Sequence, residues 1–186
     1  CASFNPKNLS SDVYKEADKV CLDGEGHGRL GVKSSNYVFR YYSELDIKYG
    51  KWSLGLDFPL QEEELFEIDW SENNKMKFTT SIDDKILKEN SEINPKELDR
   101  FTKYIGYFLK DLVKLKTNSK KKLKFKWKTT NKELIGHSKS KKAMSSFRNI
   151  DASGYFGLMA IEYRGKSKQN YRMEFVVSKC FIKKDA

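Results

Sequence analysis

Apolar and polar residues alternate along several segments in the first half of the chain. The longest are Tyr37 to Ile47, Trp52 to Phe58 and Phe66 to Trp70, and the shorter runs Arg29 to Ser34 and Met76 to Phe78 share the pattern. A period of two places successive side chains on opposite faces of a strand. Short breaks with turn-forming residues separate these segments. The pattern therefore predicts an antiparallel meander of strands with one apolar face.

Helical spacing follows in other parts of the chain. A short amphipathic helix is predicted after the capping candidates Ser10 and Ser11, and another from Asp83 to about Asn90. Asn94 and Pro95 provide an N-cap and a first-turn proline for a longer helix. The apolar stripe of this longer helix consists of Leu98, Phe101, Ile105, Phe108, Leu109, Leu112 and Val113.

The period of two returns after the long helix. Apolar residues and lysines alternate from Leu123 to Lys128, so these lysines are predicted on the outward face of a strand. The Lys- and Ser-bearing stretch Asn131 to Asp151 is predicted as a loop, and Tyr155 to Tyr163 with Tyr171 to Ile182 as a closing hairpin. These elements predict an α+β fold, in which helices cover the apolar face of one antiparallel sheet.

The predicted apolar face is rich in aromatic residues, which favours a curled sheet over a flat one. A concave face of this kind forms either a packed core or the lining of an apolar cavity. Both alternatives are open from the sequence, although most apolar residues are simply buried. If a cavity exists, its lining residues are predicted to be Phe39, Tyr41, Trp52, Leu54, Leu56, Phe66, Ile68, Phe78, Phe125, Trp127 and Phe175.

The net charge of +10 is concentrated in one part of the chain. Residues Lys114 to Arg148 include 13 lysines and arginines and one acidic residue, Glu133. Such a segment fits an anionic membrane surface, an acidic partner or a solvated face. Nucleic-acid binding is disfavoured, because Phe125 and Trp127 alternate with the lysines and cannot offer stacking faces beside them.

The three cysteines of the chain indicate a lipid anchor and a disulfide bond. The start at Cys1, with a polar stretch up to Ser11, resembles a mature bacterial lipoprotein, and an arbitrary boundary is the alternative. Residues 1–11 would then be a lipid-anchor tether and residues 12–186 one domain held at a membrane surface, since no apolar run is long enough to span it. In an oxidising compartment Cys21 and Cys180 would form a disulfide bond; two free buried thiols are the alternative.

Catalytic and metal-binding patterns are not found in the sequence. Neither His27 nor His137 has a second ligand residue at metal-binding spacing. Neither a nucleophile elbow nor a phosphate-binding glycine loop is present. We therefore expect a protein that is not an enzyme and that uses no metal and no cofactor.

The order of elements resembles the LolA/LolB family of lipoprotein-localisation proteins, and is most similar to the LolB outer-membrane receptors. The resemblance is carried by Gly28 to Val32, Val38 to Tyr42, Trp52 to Leu60, Glu64 to Ile68, the Asp83 and Pro95 helices and Tyr171 to Lys183. It implies a half-barrel of antiparallel strands whose concave face, covered by helices, holds lipoprotein acyl chains. It further implies a monomer on the periplasmic face of the outer membrane that takes lipoproteins from a LolA-like periplasmic carrier and inserts them.

The turn Pro59-Leu60 is the most motif-like part of the resemblance, and it places Leu60 as the residue that enters the membrane. Gln61 stands where the family has glycine, and the acidic run Glu62 to Glu64 follows. The basic segment from Lys120 to Lys142 is not a family feature. These departures leave a second hypothesis open, a lipoprotein of the same fold that binds another lipid or glycolipid or serves as a subunit of an envelope assembly. The client lipoproteins and the number of acyl chains stay open as well.

Overall fold

Ten antiparallel strands form one sheet in the described part of the chain. The computed structural model describes residues 3–32, 35–59, 63–72, 76–80, 94–166 and 170–181. The strands are β1 Gly24–Val32, β2 Ser35–Asp46, β3 Lys51–Asp57, β4 Glu64–Asp69, β5 Lys77–Thr79, β6 Lys126–Thr130, β7 Glu133–His137, β8 Ala143–Ile150, β9 Phe156–Arg164 and β10 Asn170–Cys180. Their order is β5-β4-β3-β2-β1-β10-β9-β8-β7-β6, so the chain builds the sheet outward on one side and returns from the other edge.

The first and last strands pair at the middle of the sheet. Gly28 of β1 lies opposite Phe39 of β2 on one side and Phe175 of β10 on the other. The two rings meet over the glycine with centroids 5.5 Å apart. A Cβ atom at Gly28 would lie 2.5 Å from the Phe39 ring, so a larger residue would not fit between these rings. The sequence predicts that this strand begins at Arg29, five residues after its observed start at Gly24. The glycines near that start interrupt the alternation of apolar and polar residues.

Two α-helices accompany the sheet in the described residues. Helix α1, Ser11–Asp18, begins where the sequence predicts it, but the side chain of its N-cap Ser10 makes no capping hydrogen bond. Helix α2, Pro95–Lys116, begins at the predicted proline, and the Asn94 side chain accepts a hydrogen bond from the backbone N–H of Lys96. With 22 residues, α2 is roughly 33 Å long. The helix predicted from Asp83 to Asn90 lies outside the described residues.

Helix α2 lies on the concave face and contacts both edges of the sheet. A Cβ atom at Gly106 would lie 2.6 Å from the ring of Phe78 in β5. Two residues further along the helix, the Phe108 ring lies 6.2 Å, centroid to centroid, from the Trp127 ring in β6. Edges of a flat ten-stranded sheet would be roughly 43 Å apart. The sheet is therefore curled around α2 and not closed, which agrees with the predicted α+β class of a curled antiparallel sheet with a helix on its concave face.

The predicted loop Asn131 to Asp151 is wrong, because this stretch contains β7 and β8. Inward positions of these strands carry Leu134, Gly136, Ala143, Ser145 and Phe147. Glycine is required at position 136, since the Trp127 ring lies 2.9 Å from the Cβ position of Gly136. Glycine, alanine and serine do not produce an apolar alternation, so the pattern is weak in the sequence.

The tether predicted over residues 1–11 is in contact with the domain at its described positions. Phe4 forms a β-bridge with Leu123, with N–H to O=C distances of 2.7 and 2.8 Å. Pro6 is buried, and Phe4 and Leu9 pack against the core. Residues 4–9 are therefore part of the packed structure and not a free linker.

Candidate functional site

The interior between α2 and the curled sheet is the candidate site, and the predicted lining residues do come together there. Ten of the eleven are buried, with 0–5% of their surface exposed, and Phe78 is half-buried against them. They come from six strands and from the residue before β6. The strands are β2 (Phe39, Tyr41), β3 (Trp52, Leu54, Leu56), β4 (Phe66, Ile68), β5 (Phe78), β6 (Trp127) and β10 (Phe175), and Phe125 immediately precedes β6.

Helix α2 fills most of the concave space with its apolar stripe. Phe108 stacks on Phe125 with ring centroids 3.8 Å apart, and Phe101 packs against Tyr171 at 5.6 Å. The buried residues of the stripe belong to the same hydrophobic cluster as the strands. The interior is thus occupied by the side chains of the protein itself.

Among the described residues, an apolar cavity lies between α2 and the middle of the sheet, with a volume of about 30 Å³. Its lining is Cys21, Leu22, Tyr41, Ser43, Trp52, Leu54, Leu109, Leu112, Phe147, Met159, Ile161 and Phe175. Ligand pockets usually measure about 300–1,000 Å³. Of the two alternatives that the sequence leaves open, the described part of the structure therefore shows a packed core with a small cavity. An acyl chain does not fit into a cavity of this size unless the residues around it move.

Several residues around this cavity were not identified from the sequence. Phe147 lies in the stretch predicted as a loop, where its neighbours Ala143 and Ser145 are too small to indicate a strand. Met159 and Ile161 lie in a predicted strand. Their spacing of two places them on the same face of that strand and could have identified them as inward-facing residues.

Asp111 attaches the C-terminal half of α2 to the residues that lead into β6. Its fully buried carboxylate accepts hydrogen bonds from the backbone N–H groups of Lys124, at 3.0 Å, and Phe125, at 2.9 Å. The indole N–H of Trp127 donates a further bond of 3.0 Å. Burial raises the pKa of Asp111, whereas these donated hydrogen bonds lower it. The carboxylate thus fixes the position of a strand edge relative to the helix.

Glu97 makes a similar attachment near the start of α2. It is buried, and it accepts hydrogen bonds from the backbone N–H of Lys166, at 2.9 Å, and from the hydroxyl of Tyr171, at 3.3 Å. Burial, together with the nearby Glu97 carboxylate, raises the pKa of Tyr171 to about 12. Tyr171 therefore stays a neutral donor over the physiological pH range.

The region after α1 is joined to both α2 and β10. The Lys116 ammonium donates hydrogen bonds to the carbonyls of Val20 and Asp18, and burial lowers the pKa of Lys116. Cys21 forms a disulfide bond with Cys180 at the end of β10, with a Cα–Cα distance of 5.8 Å. Of the two alternatives for these cysteines, the structure contains the bonded one, beside the small cavity.

The remaining predicted functional residues are Cys1, Leu60 and the lysines of the basic segment. Cys1 and Leu60 lie outside the described residues. Lys126 and Lys128 point outward from β6 as predicted and are exposed.

Over the described ranges, no group of three or more His, Cys, Asp or Glu side chains is arranged to hold a metal ion. No described helix combines the length and apolar character needed to cross a membrane.

Comparison with protein-family models finds no match, and no curated protein has a significantly similar sequence.

Proposed function

We propose that this chain is a lipid-anchored receptor on the periplasmic face of the outer membrane, which accepts lipoprotein acyl chains from a LolA-like carrier and inserts the lipoproteins into the membrane. The main support is the position of α2. Its apolar stripe occupies the concave face of an unclosed sheet and contacts both edge strands through Gly106 and Phe108. A helix placed in this way can leave the concave face without disrupting the pairing of any strands, but the hydrogen bonds of Asp111 and Glu97 have to break when it does.

The energetics of exchange are compatible with this proposal. A chain of about 16 carbons gains roughly 12 kcal/mol when buried, at about 0.8 kcal/mol per methylene. Leu109 and Leu112 border the cavity, and each side chain is worth about 1.5–3 kcal/mol when buried. Displacing several residues of the α2 stripe therefore costs an amount similar to the gain from one acyl chain. The filled interior would be the ligand-free state, in which the stripe occupies the place of the acyl chain.

A reversible cross-link between α2 and β5 tests this mechanism. The Cβ position of Gly106 lies 2.8 Å from Cγ of Phe78, so the two Cβ atoms are no further apart than the upper limit for a disulfide bond, roughly 4.5 Å. Gly106→Cys/Phe78→Cys, on a Cys1→Ser background, should lose binding of a palmitoylated peptide when oxidised and regain it after reduction. Binding is measured by the change in tryptophan fluorescence, since Trp52 lines the cavity and its emission depends on the polarity around the indole.

The control is the Cys1→Ser protein, which retains only Cys21 and Cys180 and receives the same oxidation and reduction. Its response to reduction measures the contribution of the Cys21–Cys180 bond beside the cavity, and the cross-linked protein should show a gain in binding beyond that response. Equal binding by the oxidised and the reduced cross-linked protein would rule out movement of α2 as the entry step.

Insertion is tested separately at Leu60, to which the family resemblance assigns the membrane contact. Leu60→Glu should keep acyl binding and lose transfer of a lipoprotein into vesicles, because a carboxylate does not enter the apolar part of the bilayer. Leu65→Glu is a matched control, since Leu65 is 41% exposed on β4 and is not assigned to the membrane. If transfer by Leu60→Glu equals that of Leu65→Glu, the proposed role of Leu60 is wrong.

The small volume of the cavity favours a second candidate function. A lipoprotein of the same fold with a permanently packed interior would act as a subunit of an envelope assembly and not as a carrier. In that case the Cys1→Ser protein would not bind the palmitoylated peptide under any redox condition.

A further inference from the structure

Five lysines surround one open pocket on the surface of the domain, with a volume of about 330 Å³. They come from two separate segments of the chain: Lys110 and Lys114 on one face of α2, and Lys121, Lys122 and Lys124 in the connection from α2 to β6. The volume is at the lower end of the range for small-ligand pockets, about 300–1,000 Å³. This pocket lies on the solvent side of α2 and is separate from the small cavity under the helix.

Hydrogen bonds hold the connection against the helix and so bring the two groups of lysines together. The Asp111 carboxylate accepts the backbone N–H groups of Lys124 and Phe125. The β-bridge between Phe4 and Leu123 fixes the same stretch from the other side. Asp111 also lines the pocket, but its carboxylate is fully buried and accepts hydrogen bonds from three different N–H donors.

These lysines differ from those of an ordinary solvated face. Four of them, Lys110, Lys114, Lys121 and Lys124, are half-buried, whereas Lys126 and Lys128 on β6 are exposed. Burial lowers the pKa of Lys110, and the positive charge of Lys114 lowers it further. Burial also lowers the pKa of Lys114, with Lys121 adding to the effect and Asp111 opposing it. Gathering the ammonium groups in this way costs free energy that a bound anion would recover.

We propose that this pocket binds a phosphate group, either as free phosphate or as the headgroup of an anionic phospholipid. Several ammonium groups can donate to the different oxygens of one phosphate, whereas a single carboxylate has only two oxygens. The pocket also has an apolar side: Lys124 Nζ lies 4.8 Å from the centroid of the Tyr107 ring, and Leu123 and Met76 line the wall. This inference does not depend on the proposed acyl binding.

The test compares two double variants that remove the same charge from the same part of the chain. Lys110→Gln/Lys114→Gln removes pocket lysines, and Lys126→Gln/Lys128→Gln removes exposed lysines of β6. Binding of inorganic phosphate is measured by titration calorimetry at about 0.15 M salt. We expect the pocket variant to bind at least about tenfold more weakly than the wild-type chain and the β6 variant to bind within about twofold of it. Circular dichroism verifies that both variants are folded.

A vesicle assay identifies the source of the phosphate. Vesicles of phosphatidylcholine with phosphatidylglycerol should retain the wild-type chain more strongly than the pocket variant, and inorganic phosphate should release it, if a headgroup is the ligand. If the wild-type chain binds inorganic phosphate and the vesicles do not reduce this binding, the site exists and its ligand is soluble phosphate. If both double variants lose phosphate affinity equally, or if the wild-type chain binds no phosphate, the site does not exist.

Discussion

Gly106 of α2 and Phe78 of β5 are in such close contact that the helix position has no room for a side chain. A Cβ atom there would lie 2.6 Å from the Phe78 ring. We expect Gly106→Ala to destabilise the protein by about 1–3 kcal/mol, because the overpacking exceeds the gain of about 1 kcal/mol in helix propensity. Urea denaturation measures the change. Gly106→Ala/Phe78→Leu should recover part of the loss. If Gly106→Ala instead stabilises the protein, α2 does not approach β5 this closely.

Removing the Asp111 carboxylate should be one of the most costly single changes in α2. Asp111→Ala leaves the N–H groups of Lys124, Phe125 and Trp127 without their acceptor. A loss of about 3–5 kcal/mol in the free energy of unfolding is expected, and a smaller loss for Asp111→Asn, which keeps one acceptor oxygen.

Asp99 provides the control on the same helix. Its side chain is half exposed and forms an ion pair with Lys103 at 2.9 Å. Asp99→Ala should therefore cost less than about 0.5 kcal/mol. Equal losses for Asp99→Ala and Asp111→Ala would contradict the role given to the buried carboxylate.

The disulfide bond between Cys21 and Cys180 should contribute strongly to stability, because it closes a loop over a sequence separation of 159 residues. Cys21→Ala/Cys180→Ala is expected to unfold with a free energy about 3–5 kcal/mol lower than that of the oxidised chain. Thermal denaturation should show that a reductant lowers the Tm of the wild-type chain to that of the variant and leaves the variant unchanged. A wild-type Tm that does not respond to complete reduction would disagree with this prediction.

Binding of phosphate should weaken as the pH rises, and it should do so before ordinary lysines titrate. The pKa values of Lys110 and Lys114 lie below the ordinary value of 10.5, and only the protonated ammonium attracts the anion. Bound phosphate raises these pKa values by linkage, so affinity is complete below them and is lost as the pH passes through them.

Calorimetry at several pH values above about 8 measures this dependence, since phosphate is then a dianion throughout. Tyr107, Asp111, Lys121, Lys122 and Lys124 also face the pocket, and their charges are included in the observed curve. Lys110→Gln/Lys114→Gln should bind weakly with a flatter pH profile. An affinity that is constant up to pH 10 would exclude these two lysines as ligands.

Much of the local structure could be predicted from the sequence because it depends on neighbouring residues. The alternation in β2, β3 and β4 identifies these strands to within a few residues, since burial of one face imposes a period of two. Asn94 and Pro95 identify the start of α2, because a capping side chain and a proline act on the first turn alone. The same reasoning failed at β7 and β8, where Gly136, Ala143 and Ser145 occupy inward positions and the Trp127 ring leaves no room for a side chain at Gly136.

The relations between distant segments were decided by the tertiary structure. Alternating residues give the same pattern on a flat or a curled sheet, so the approach of β5 and β6 to opposite sides of α2 could not be derived from it. An aromatic face likewise does not distinguish a hollow interior from a filled one, since that depends on the depth at which Phe108 and Leu112 enter. The lysine pocket exists because Asp111 holds the connection from α2 to β6 against the helix. The distribution of charges along the sequence does not reveal that contact. In this protein the sequence determined which residues face inward, and packing in three dimensions determined what they face.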